Sequence, residues 1–307
     1  MSSADASPPL SLVLGPILLA VVFNSILFGT CIIQAITYIN SQFKDKWPLV
    51  TLVSWVFVVD AFHSISLIVL AWYYIVDNWG SKTVFASTPW EYGWTPVLMV
   101  LIAAPVQFFL IWRIYKLSGS PLVFLIGLVT LGSSAAGIYS TYTIVTKSAS
   151  STIESLIPAG DAWLSLGIAS DAVITSTLFV YLIKRRTGFS GTNRMIYSIL
   201  TTAVETAVPV LVVAVLDIAF LTAKPTTNLH FMFVVCLPRL YTNTLFATLN
   251  LRKRMKNESE NAQTWNSIHL SVTNTHPSFS LLCDPPPPRS AAEIGERQRY
   301  ASARHPR

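Results

Sequence analysis

The 307-residue chain is 52% hydrophobic, only 12% charged and 12% aromatic, with a net charge of +6. Soluble domains are about a quarter charged; here uncharged apolar stretches recur at membrane-crossing length, about 20 residues, which also excludes a β-barrel of short alternating strands. The basic residues gather at span ends and in the C-terminal tail, the distribution of topology determinants and anionic-lipid contacts and not of a nucleic-acid binder.

Residues 1–11 read as a short extracellular N-terminus. It carries Asp5 and no basic residue, and the apolar stretch after it is long, so it reads as a retained first helix and not a cleavable signal. Span 1 runs from about Leu12 to Tyr38 with Asn24 and Gln34 inside, and the connector Lys44-Asp45-Lys46-Trp47 follows. Pro48 suits the first turn of span 2, about Leu49 to Val76, where Asp60 and His63 lie three apart on one face. The loop Asp77 to Thr95 holds Trp79, Trp90, Tyr92 and Trp94, either an interfacial belt or a cap over a cavity mouth. Span 3, about Pro96 to Tyr115, contains Pro105 and Gln107 and ends past Arg113. Span 4, Pro121 to about Val145, has no ionisable group; its Gly127, Gly132, Ala136 and Gly137 predict close helix packing. After a serine-rich loop, Thr146 to Ala162, span 5 runs from about Trp163 to Ile183 around Asp171. Span 6, about Met195 to Leu221, carries Glu205, Pro209 and Asp217. Span 7, Leu229 to Asn250, holds Pro238, Arg239 and Asn243.

Beyond the seven-helix domain, residues 12–251, the composition turns polar. Arg252, Lys253, Arg254 and Lys256 are placed for anionic lipid headgroups, and the tail, residues 252–307 with Pro285 to Pro288, reads as disordered, its proline run a candidate ligand for a cytosolic partner. The connectors after spans 1, 3 and 5 and the proximal tail hold twelve basic residues against three on the opposite side. The positive-inside rule thus puts the N-terminus outside and the C-terminus in the cytosol. The expected fold is all-α, a polytopic bundle of seven transmembrane helices in the plasma membrane or another secretory-pathway membrane. Cys31 and Cys236 fall inside spans and Cys283 in the tail, so neither a disulfide framework nor a zinc spacing is available.

Counted from the cytosolic ends, Asp60, Asp171, Glu205 and Arg239 all lie about 16 Å deep at 1.5 Å per residue, near the middle of the hydrocarbon. Gln107 and Asn24 lie within about a turn of that level and His63 about a turn further out. Ionisable groups at this depth face a bundle interior and mark function by default. The candidate ligand-binding or switch layer is therefore Asp60, His63, Gln107, Asp171, Glu205, Arg239 and Asn243, with Glu205, on the preceding helix, the simplest counter-ion for Arg239. The bland alternative is one structural ion pair with the other acids protonated. Asp217, near the outer end of span 6, reads as wet.

Several stretches carry a family pattern: Gly15 and Gln34 to Tyr38; Val59-Asp60-Ala61-Phe62-His63; Gln107-Phe108-Phe109 with Arg113; Ser170-Asp171-Ala172; Arg186-Thr187-Gly188-Phe189; and Leu240 to Leu245 followed by Leu249-Asn250-Leu251-Arg252. In order and placement they resemble a basidiomycete fungal family of seven-helix membrane proteins, domain of unknown function 6534. The resemblance implies the fold and a membrane location and no activity.

Seven spans with the N-terminus outside suit a receptor-like sensor of a small ligand. The cytosolic end of span 3 has only Trp112-Arg113-Ile114 and span 7 lacks an Asn-Pro-x-x-Tyr pattern, so standard G-protein coupling is not expected. A proton-coupled carrier using buried carboxylates is the alternative, with Pro105, Pro209 and Pro238 as helix breakers; a scaffolding protein is the third. A retinal pump would need a lysine in span 7, which has none. Nothing resembles a hydrolase's metal set or activated nucleophile, so neither catalysis nor a cofactor is expected.

Overall fold

The computed structural model describes residues 10–41, 45–81, 88–147, 157–184, 190–224 and 227–275. Two units divide the chain, Met1–Lys253 and Arg254–Arg307. The first is helical throughout its described elements: α1 (Leu10–Ile39), α2 (Trp47–Trp72), a short α3 (Trp90–Gly93), α4 (Thr95–Ser118), α5 (Phe124–Lys147), α6 (Ile157–Lys184), α7 (Ser190–Ala223), a short α8 (Phe231–Val234) and the start of α9 (Leu237–Thr275). Among the described residues, seven helical stretches are long and apolar enough to cross a membrane, the last formed by α8 with α9 up to Asn257. Neighbours in the chain pack in order, α1 on α2, α2 on α4, then α4, α5, α6 and α7, and α8 touches both α7 and α1, closing the ring.

The last span is the least apolar, with mean hydropathy 1.2, and the most enclosed: 56% of its window is buried, against 17–39% for the other six. The two facts have one cause. A helix with polar side chains at membrane depth satisfies them only by turning inward, while helices rich in Ile, Leu and Val can leave large residues such as Ile33, Val58, Ile65 and Leu128 exposed toward lipid. One apolar cluster, Val53, Val56, Ile102, Val106, Leu245, Phe246 and Leu249, wraps α2 and α4 onto α9.

The prolines inside membrane helices show how backbone groups are answered where no water is at hand. A proline has no N–H for the carbonyl four residues earlier. For Pro16 that carbonyl is Leu12, and it accepts the backbone N–H of Asn228 at 3.3 Å. For Pro105 it is Leu101, which accepts the indole N–H of Trp55 at 3.1 Å. Both α4 and α7 continue through their prolines. Only Pro238 coincides with a break: α8 ends at Val234, Val235 and Cys236 form a turn, and α9 starts at Leu237.

Several boundaries shift from the sequence reading. Span 2 ends in a π-helical turn, Tyr73–Asp77. The serine-rich loop is shorter than expected, because α6 begins at Ile157. In the aromatic stretch before span 3, Trp79, Trp90 and Trp94 are exposed, while Tyr92 on α3 stacks on Phe231 with ring centroids 4.9 Å apart. In α5 the close approach falls at Gly137, where a Cβ would meet Val100 at 2.6 Å and the Trp163 indole at 2.8 Å, whereas Gly132 has open space. The faces of α5 and α6 are further joined by the Thr130 and Ser170 hydroxyls, 2.8 Å apart.

In the second unit the reading of a disordered tail is corrected for its first part: α9 is helical up to Thr275. Residues 251–275 contain neither glycine nor proline, so nothing breaks the helix before Pro277, whose ring disfavours the helical conformation in the residue ahead of it. The proline run 285–288 lies outside the described residues.

Candidate functional site

Arg239 stands in the first turn of α9, immediately after the break, and is completely buried. Its partner is Asp60 of α2, also completely buried, bonded from Nη1 to Oδ1. The expected counter-ion Glu205 is therefore wrong: its side chain is exposed on α7. Depth counting put Glu205 and Arg239 on one level but is blind to helix rotation, and rotation turned Glu205 outward. The guanidinium also lies 5.9 Å from the centre of the Phe28 ring, which itself stacks on Phe57 at 5.9 Å. A flat, weakly hydrated cation suits such a face. Cys31 of α1 points its thiol at the Arg239 carbonyl, 3.7 Å away.

Tyr241 follows two residues later, about 200° around the helix at 100° per residue. It donates its hydroxyl to Asp171 Oδ2 of α6, and Gln107 of α4 donates its amide to Oδ1 at 2.7 Å. A carboxylate receiving one donor on each oxygen matches the inventory of an ionised acid, which only accepts. Asp171 is only half-buried, because it faces a cavity of about 40 Å³ that Gln107, Ser133, Ser134, Trp163 and Tyr241 also line. At ~10–15 Å³ per water centre that is room for about three waters. Thus α9 is tied on one side to α2 by a fully enclosed ion pair and on the other to α6 through a group that lines a cavity.

The remaining expected members take other places. His63 is fully buried next to Arg239, but both ring nitrogens lack a hydrogen-bond partner among the described residues, so it sits beside the layer without bonding into it. Asn243 staples α9 to α1, accepting from Thr30 at 3.0 Å and donating to the Leu27 and Arg239 carbonyls. Asn250 repeats the contact about two turns further on, donating to the Gln34 carbonyl at 2.9 Å. Asn24 donates to Ser64 of α2 at 3.4 Å. Asp217, expected to be wet, is completely buried, with His230 Nδ1 3.5 Å from its Oδ1. Sequence reasoning missed Tyr241 as a member of the layer; its only signal was a phenol two residues from a buried arginine.

A model of a family of unknown function (DUF6534) matches residues 167–254. That is the family the sequence motifs resemble. The DUF6534 match takes in α6 from Gly167 on, α7, α8 and α9 as far as Arg254, and so Asp171, Arg239, Tyr241 and Asn243, while Asp60, His63 and Gln107 lie before it. No curated protein and no solved structure matches the chain.

Away from mid-membrane, the α1–α2 connector clamps the far end of the last span. Arg252 grips Asp45 with both terminal nitrogens, at 2.7 and 2.8 Å, and Tyr38 adds its hydroxyl at 2.8 Å; Lys253 donates to the Asn40 carbonyl at 3.3 Å. Arg252 and Lys253, both expected to meet lipid headgroups, are thus engaged by protein. The Arg252 fork, more than the Tyr38 bond, holds the Asp45 carboxyl below its ordinary value of 3.8, against partial burial that pushes the other way. A carboxyl with a depressed folded pKa stabilises the fold above its unfolded value, and that contribution fades as pH falls through the folded one. Thermal stability should therefore be insensitive to this clamp from neutrality down to about pH 4, the ordinary carboxyl range, and drop below it. Asp45→Asn should remove the part of the acid-side loss that Asp45 contributes; an unchanged acid profile in that variant would show that the clamp contributes nothing.

Proposed function

We propose that the chain is a receptor-like seven-helix sensor, N-terminus outside and C-terminus cytosolic, residing in the plasma membrane or another secretory-pathway membrane, and that it binds without catalysing. The supporting observation is the pair of attachments on α9: Arg239 to Asp60 of α2 and Tyr241 to Asp171 of α6. A small polar ligand entering the cavity beside Asp171 would compete for the Tyr241 and Gln107 donors and loosen α9 from α6 while the α2 attachment holds. A ligand acts only through such differential contacts with two states, and release of the Tyr241 and Gln107 donors would be the difference between them. The cavity's size suits a small molecule or waters and not a bulky substrate.

The turn at Val235–Cys236 favours a second reading. Interrupted helices beside a buried carboxylate are a feature of secondary transporters. The two readings separate in proteoliposomes loaded with a pH-reporting dye. A sensor gives no protein-dependent proton flux under an imposed gradient, in the wild type or in Asp171→Asn. A carrier gives flux that Asp171→Asn abolishes, and that result would overturn the sensor reading.

A further inference from the structure

A second cavity lies between α4, α6, α7 and α9, nearer the end of the bundle where α4 terminates. Arg113 lines it together with five hydroxyls, Thr175, Thr202, Thr206, Thr244 and Thr248. Among the described residues Arg113 has no ion-pair partner, and the charged group that acts on it is another cation, Arg252, itself taken up by Asp45. A guanidinium cannot shed its proton, so within a membrane-spanning helix its charge is met by a partner or by water. Two of the hydroxyls already donate along their own helices, Thr206 to the Thr202 carbonyl at 2.9 Å and Thr244 to the Leu240 carbonyl at 2.8 Å. Thr175, Thr202 and Thr248 make no side-chain hydrogen bond to a described residue. The cavity thus offers a forked cation and three free O–H donors and holds no carboxylate.

We propose that this cavity binds a phosphate-type oxyanion. Guanidinium geometry matches two oxygens of such a group at once, and hydroxyls complete its remaining acceptors. The rest of the lining is apolar, Leu110 and Leu178 among it, which suits the phosphate of an anionic lipid with its chain between α4 and α7; free phosphate has the same chemistry without the chain. The competing account is that Arg113 only reaches out to the interface: it is five residues from the end of α4, about 7.5 Å along the helix.

The test is thermal unfolding of the full chain in discs of phosphatidylcholine alone, the same discs with added phosphatidic acid, and the first discs with millimolar inorganic phosphate. Wild type should melt about 3 °C or more higher with the probe that binds. Arg113→Gln should lose that shift, while Lys116→Gln, which removes an exposed cation resting on Trp112 of the same helix, should keep it. A shift with phosphatidic acid only identifies the lipid; a shift with both probes identifies the free anion's chemistry as sufficient. The milder Thr202→Val/Thr248→Val variant should reduce the shift, and it decides the matter if Arg113→Gln does not fold. No shift with either probe, a shift that survives in Arg113→Gln, a loss shared equally by Lys116→Gln, or a full shift in the double threonine variant each overturns the proposal.

Discussion

Replacing Asp60 with asparagine is expected to destabilise the protein by about 3–5 kcal/mol, the loss seen when one member of a buried ion pair is removed and the other stays charged. Asparagine keeps the shape, so the loss is electrostatic and not a packing defect. Arg239 cannot become neutral, and with Asp60 gone nothing else among the groups around it, Phe28, Cys31 and His63, carries a negative charge. The converse replacement, Arg239→Met, should be milder, since an isolated carboxyl can take up a proton. The double variant Asp60→Asn/Arg239→Met should recover most of what Asp60→Asn loses, because partners in one pair are not additive. Unfolding in lipid discs at neutral pH measures all four. Equal and additive single effects would mean that the pair does not hold α2 to α9.

How far the sequence carried this site follows from what helical periodicity can and cannot encode. Depth is linear in residue number, so Asp60, Asp171 and Arg239 could be placed on one level without any structure, and all three contact or belong to α9 within residues 239–241. Azimuth depends on how each helix is rotated by its neighbours. Span 6 gave little to fix that rotation, being apolar nearly all round, and Glu205 was assigned inward when it faces out. Asp217 failed in the opposite direction: proximity to a span end read as hydration, but α8 and His230 fold over it. Spans, by contrast, were legible in number and place, with ends displaced by up to seven residues, because twenty apolar residues between charged ends have few alternatives.

The break before Arg239 shows a further limit. Pro238 was visible as a helix breaker alongside Pro105 and Pro209, yet only Pro238 interrupts its span. What distinguishes the others lies partly outside their own helices. The carbonyl stranded by Pro105 is taken by Trp55 from α2, a residue with no sequence relation to it. Membrane helices tolerate proline where a neighbour re-satisfies the freed group, and that neighbour is a tertiary fact. The helix beyond Asn250 went unread for a different reason: polar composition argued against a core, but a helix already nucleated in the span extends without a new nucleus, and no glycine or proline interrupts it before Pro277.

Asp171→Asn is expected to do the reverse of Asp60→Asn: little to stability and much to the freedom of α9. The asparagine can still accept from one of the two donors, Gln107 or Tyr241, and the cavity beside it lets water meet the other, so the loss in stability should stay near 1 kcal/mol, the scale of a single hydrogen bond inside a membrane bundle. What disappears is the charge that drew both donors to one point. In hydrogen–deuterium exchange on the reconstituted protein, amides of α9 from Tyr241 to Asn250 should exchange several-fold faster in Asp171→Asn and in Tyr241→Phe, with the double variant no faster than either single one, as expected for two halves of one contact. The α1 amides around Asn24 should be unaffected, since Asn24 is held to α2 through Ser64 and not to α9. If both variants leave α9 exchange at the wild-type rate, the Asp171 contact does not restrain that helix, and a sensor that works by releasing it is ruled out.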